Sequence, residues 1–222
     1  MNAYHWDFSF LGNYKYVILA GAGHTAQLSL VIMFFGMAIG GVFALFRISG
    51  SSILRVLGSI YVELFRNVPA LVMLFWFFYA IPILTGIQND RFMTAAVAFS
   101  LYTGAYFCEI FRVAIQSVPR GQIEAALALG FSRRKQFTTI MLPQAMKKML
   151  PSLTNEMVEV VKISAVAATI AYPELLYQAH LMSDNEYRPV EAYTAIAVVM
   201  TGGILLISGL SHYLEYRLKK SD

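Results

Sequence analysis

The 222-residue chain is 58% hydrophobic and only 14% charged, against about 25% charged residues in ordinary soluble domains. So little charge cannot cover a water-exposed surface of this size, and the high apolar content excludes disorder. The net charge of +4 is distributed in short clusters between apolar runs, the pattern of membrane loops rather than of a nucleic-acid-binding surface. A single cysteine, Cys108, excludes an internal disulfide, and His5, His24, His180 and His212 are too scattered to form a metal-ligand spacing.

A helix needs about 20 apolar residues to cross the hydrocarbon core. The first such run, residues 25–46, lies between His24 and Arg47. It is too long for a cleaved leader and has no basic region before it. The second run, 57–84, is interrupted by Glu63, Arg66, Pro69 and Pro82; the third covers 92–118, the fourth 149–170 and the fifth 192–214. The expected protein is therefore all-α and integral to a membrane, with five transmembrane helices in a single transmembrane domain. Eleven of the 17 basic residues fall on one set of connections: Arg47 and Arg55 after the first span, a cluster from Arg120 to Lys148 after the third, and Arg217, Lys219 and Lys220 after the last. Only Lys15, Arg91 and Arg188 fall on the other side. The positive-inside rule then predicts a multi-pass chain with its N-terminus outside and its C-terminus in the cytoplasm.

The inner connection over 119–148 is long for a compact bundle, which marks it as functional. Glu124 to Leu129 is a run of strong helix formers, with Glu124 read near the helix start, where its charge suits the dipole. Gly130 is suited to a left-handed helix end, and Pro143 prevents the next helix from continuing smoothly. Two short helices joined at a glycine make a docking knob for a soluble partner. They equally fit an amphipathic helix on the membrane surface, with Arg133, Arg134 and Lys135 on lipid phosphates.

The order Gly121, Glu124-Ala125-Ala126, Gly130, then Leu142-Pro143 resembles the coupling motif of permease subunits of binding-protein-dependent ABC importers. Tyr61 to Pro69, Ala105-Tyr106, Glu109-Ile110, Gly121-Gln122 and Pro173-Glu174-Leu175 are similar to segments of the polar amino-acid subfamily, the histidine/arginine/glutamine type, so the likeness runs from about Gly21 to Arg217. The resemblance implies a type I importer permease fold in a bacterial inner membrane, with the loop at 119–148 forming coupling helices that enter a groove of a cytoplasmic ABC ATPase dimer. It further implies a second permease subunit, identical or a sister chain, and an external amino-acid-binding protein. ATP and Mg would bind to the ATPase; this chain carries no nucleotide, metal or catalytic motif, and membrane lipid surrounds it.

Ionisable residues inside spans mark function by default. Arg66 lies within the second span; Glu156, Glu159 and Lys162 follow one another at intervals of three, sharing a face of the fourth. A guanidinium suits the α-carboxylate of an amino acid, and a carboxylate suits its ammonium or a basic side chain. The competing reading makes Glu159–Lys162 and Arg66–Glu63 mere bundle ties. We adopt it for Glu159 and Lys162 and assign Arg66 and Glu156 to substrate. Leu150-Pro151 followed by Asn155-Glu156 resembles the segment of basic amino-acid permeases in which the Glu faces substrate. The expected substrate-binding set is Arg66, Glu156, Asn155, Glu63 and Ala70, for an ATP-driven importer of polar, chiefly basic, L-amino acids. Acidic amino acids, glutamine or cystine are the alternatives within the same importer type. An ion-coupled secondary transporter using the fourth-span charges as a proton relay is the rival from another class.

Overall fold

A computed structural model describes residues 4–88 and 90–219, and every element among them is helical. Lys220 of the C-terminal basic cluster lies outside the described residues. Helix α1 (Leu11–Ile48) has 38 residues, about 57 Å at 1.5 Å per residue, nearly twice the hydrocarbon thickness. It begins well before the expected residue 25, since the preceding segment has glycines but no proline to break it.

The expected second span is not one continuous helix. α2 (Ser52–Asn67) ends where Val68 takes extended backbone, φ −87° and ψ 129°, the conformation that a following proline, here Pro69, imposes on its predecessor. α3 (Ala70–Phe75), a π turn (Trp76–Ala80) and α4 (Ile81–Thr85) follow. Then come α5 (Arg91–Gln116), α6 (Arg120–Ala128) and α7 (Arg133–Gln136). A second π turn (Phe137–Met141) leads into α8 (Leu142–Ser164), which finishes in a 3₁₀ stretch (Ala165–Ile170). α9 (Leu175–Glu186) and α10 (Pro189–Lys219) complete the chain. Both π turns close immediately before a proline, with the Ile81 amide donating to the Trp76 carbonyl and the Leu142 amide to the Phe137 carbonyl. Pro82 and Pro143 supply no N–H, and their rings clash with the carbonyl four residues back; a widened turn relieves both problems without ending the helix.

α1, α5 and residues Pro189–Ser211 of α10 are each long and apolar enough to cross a membrane. α2 with Ala70–Thr85, and Arg133–Ile170 with α9, meet the same test as bent pairs, giving five crossings if each pair counts once.

The chain divides into two compact units. The first takes residues up to 33, then 69–99 and 158–209. Its core is a set of helical stripes, Leu175, Ala179 and Met182 of α9 against Ala192 and Ile196 of α10, with Phe10 and Ile18 closing it. Fully buried Glu191 ties the N-terminal segment down, accepting from Tyr4 Oη at 2.6 Å, the Asp7 amide at 3.2 Å and Arg188 at 3.1 Å. The second unit comprises 34–68, 100–157 and the residues from 210 onward. Here the Gly36-x-x-x-Gly40 spacing does what small residues do between membrane helices. A Cβ at Gly40 would lie 2.6 Å from Phe107 Cβ and 2.7 Å from the Gly104 carbonyl. Tyr61 fills the adjoining space, stacked 3.9 Å from Phe43 and donating to the Leu101 carbonyl at 2.7 Å, beside fully buried Cys108. A lower cluster packs Ala114 and Ile115 of α5 against Ala145 and Met149 of α8.

Candidate functional site

Within the second unit, α2, α5 and α8 enclose a cavity of about 400 Å³, inside the range of small-molecule sites. Arg66, Tyr106, Glu109, Ser117, Lys148 and Glu156 supply its polar wall, and Ile110, Val113, Ala114 and Met149 the apolar one. Helical spacing explains the membership. Tyr106, Ile110 and Val113 recur at four and three along α5, with Ser117 just past its end, and Lys148, Ser152 and Glu156 at four along α8. Two cations and two carboxylates therefore line one cleft.

Arg66 stands in the last turn of α2, where a cation suits the helix dipole. Its guanidinium lies 5.1 Å from the centre of the Tyr106 ring, a cation–π contact that keeps the planar group oriented. The Tyr106 and Tyr102 hydroxyls are 3.0 Å apart. Glu109 is held by two arginines, Arg47 from α1 and Arg112 one turn along α5, whose Nε donates at 3.0 Å. At the far end Lys148 Nζ donates to the Ser117 carbonyl at 2.6 Å.

Of the residues expected to meet the substrate, the structure brings Arg66 and Glu156 to one cavity. Asn155 is exposed on α8 and outside the wall. Glu63 is turned along α2, where Asn67 Nδ2 donates to its side chain at 2.9 Å, so the alternative Arg66–Glu63 tie is not formed. Ala70 opens α3 and belongs to the other unit. Glu159 and Lys162 pair at 2.7 Å, both half exposed. Sequence reasoning did not single out Tyr106, Glu109, Ser117 or Lys148 for the cavity. The four-residue spacing of Lys148 from Ser152 and Glu156 was the available signal.

The loop over 119–148 folds as two helices joined at a glycine. Gly130 has φ 75°, with its amide donating to the Leu127 carbonyl at 2.9 Å and the Phe131 amide to the Ala126 carbonyl at 3.0 Å. Ser132 then caps α7 through the Lys135 amide. α6 starts at Arg120 after Pro119, so Glu124 is its fifth residue and no acidic side chain stands in the first turn; the dipole argument for Glu124 fails because the helix opens earlier than read. Gly121, Glu124 and Ala125 are exposed while Ala126 is buried, and Leu127 and Leu129 are 66% and 75% exposed, a small knob with apolar projections. Leu142 and Pro143 open α8 directly after the π turn that accommodates the proline.

Residues 32–220 match the family described as binding-protein-dependent transport system inner membrane component. The chain is 35% identical over 201 residues to a probable glutamine ABC transporter permease protein, GlnM, of Bacillus subtilis, covering 90% of this chain and 93% of that one. It is 36% identical over 204 residues to a probable amino-acid ABC transporter permease protein, YckA, of the same organism, covering 90% and 89%. Among solved structures, that of an amino acid ABC transporter with histidines is similar over 96% of this chain and 100% of that one, at 30% identity and a TM-score of 0.91.

Proposed function

Because the chain belongs to the family of binding-protein-dependent transport system inner membrane components, we propose that it is the permease subunit of an ATP-driven amino-acid importer. Its cavity between α2, α5 and α8 carries the substrate. The observation that carries this reading is the meeting of Arg66 and Glu156 on one 400 Å³ cleft. The oriented guanidinium of Arg66 takes the α-carboxylate by paired hydrogen bonds. Glu156 takes a cationic group, and this favours a basic amino acid. Glutamine is the second candidate, favoured by the names of several relatives. It uses the same Arg66 contact and presents its amide to Glu156.

The charge distribution supports an N-terminus outside and a cytoplasmic C-terminus. In that orientation α6 and α7 face the cytoplasm, and their exposed knob is the surface on which a partner ABC ATPase dimer docks. ATP and Mg are bound there, and this chain does no hydrolysis. A second permease subunit pairs with this one, and an external binding protein delivers substrate to the polar connection around Asp184 and Arg188. Closure of the ATPases displaces the knob and turns the cavity from one side of the membrane to the other.

The deciding experiment is a ligand panel on the reconstituted complex. Arginine, lysine and histidine are expected to stimulate ATP hydrolysis, and Glu156→Gln to weaken that stimulation about tenfold while leaving assembly intact, the loss of one charged hydrogen bond. Stimulation by glutamine or glutamate alone overturns the basic-substrate assignment. Uptake that continues without ATP and collapses with the proton gradient overturns the importer reading.

A further inference from the structure

The docking loop leaves the cavity wall at Ser117 and rejoins it at Lys148, so both ends of its stem are themselves wall residues. Between Ser117 and α6 the backbone leaves the helix, with Pro119 at φ −58° and ψ 132°. A loop attached only through such a joint would swing on it without moving the wall. The stem is tied across that joint. Lys148 Nζ donates to the Ser117 carbonyl at 2.6 Å, at the C-terminal end of α5 where a cation is favoured. Nearer the knob, the Gln144 side chain donates to the Gln122 side-chain oxygen and, at 3.1 Å, to the Ile140 carbonyl. Beneath these bonds Ala145 and Met149 pack on Ala114 and Ile115.

We infer that Lys148 is the coupling residue of the transporter, a clasp that fastens the docking loop to the substrate cavity and opens as substrate passes. The inference rests on the transport reading above. Eight residues separate Glu156 from Lys148 on α8, about 12 Å of helix. A carboxylate released from Arg66 and moving along the cleft meets the Lys148 ammonium as the next wall cation. It competes there with the Ser117 carbonyl for the same donor. With the clasp shut, a displacement of α6 is transmitted to α5 and α8 together. With the clasp open, the loop pivots at Pro119 and the two motions separate. Lys148 is thus a positioning residue for the loop.

The test is hydrogen exchange and ATP hydrolysis on the full permease–ATPase complex. In Lys148→Met, amides of 117–130 are expected to exchange at least fivefold faster without substrate. The ratio of substrate-stimulated to basal hydrolysis should fall at least fivefold while the ATPase still co-purifies. Lys148→Arg, which keeps the donor, should restore both. Wild-type exchange rates in Lys148→Met overturn the inference, as does an equal loss in Lys148→Arg. A rise in half-saturating substrate that matches the lost stimulation also overturns it, making Lys148 a binding residue. If Lys148→Met does not assemble, Gln144→Ala decides: faster exchange in 117–130 supports the clasp and unchanged exchange overturns it. A wild-type complex that no amino acid stimulates overturns the functional reading instead, and the exchange rates then decide the clasp alone.

Discussion

Glu174, at the bend just before α9, is fully buried, and one of its carboxylate oxygens has no hydrogen-bond partner. The other oxygen accepts from the Tyr177 amide at 2.7 Å and caps α9. Glu174→Ala, which removes the cap, should lower the thermal melt of the solubilised chain by the equivalent of about 1 kcal/mol, and Glu174→Gln, which keeps a side-chain acceptor, by less; equal losses in the two variants would count against the cap. Glu174 was legible only as part of a familiar segment, because nothing in the order of residues shows which carboxylate a fold will bury. Arg66 and Glu156 were legible for the opposite reason. A charge within an apolar run is costly wherever it lies, so its position alone announces a role. Tyr106 and Glu109 needed their partners, Arg66, Arg47 and Arg112, before either stood out.

Among the elements, the helices over 119–148 were the most legible. Gly130 terminates α6 with a positive φ, and the exposed turn carries Glu124. Glu124→Arg should cut co-purification of the ATPase at least tenfold while the permease keeps its thermal stability, since an exposed side chain on α6 supports no core contact. Retained co-purification would return α6 to the membrane surface. The helix break at Val68–Pro69 was less legible. Apolar content continues through it, and hydropathy reports solubility in lipid rather than backbone direction. The π turns escaped notice because a widened turn changes no residue type. Both prolines behind them, Pro82 and Pro143, were visible: reading Pro82 as an interruption was too drastic, whereas Pro143, read as preventing a smooth continuation, does so through the π turn.

At the scale of the whole molecule, the helices differ in how much of themselves the chain covers. The spanning window of α5 is 61% buried and that of α10 only 6%. Near its start α10 is held by the polar ties of Glu191 and by Ala192 and Ile196 in the core of the first unit, with Met200 packed against them. Beyond, Leu205, Leu206 and Leu210 are exposed, and a side chain at Gly202, Gly203 or Gly209 would touch nothing within 4 Å. Amide exchange along α10 in detergent should accordingly be slow near Ile196 and faster past Gly203, with the difference suppressed when a second subunit or a bilayer covers the helix. Uniform protection in the isolated chain would contradict this. The order of residues located this helix closely but gave no sign of which stretch of it the chain covers, since lipid-facing and partner-facing surfaces are equally apolar. Mechanically, α10 is a stiff rod, with no proline to bend it after Pro189. Its 31 residues span about 46 Å, so a tilt of about 5° at the Glu191 root displaces the opposite end by about 4 Å. Small rearrangements at the root are thereby magnified along the helix.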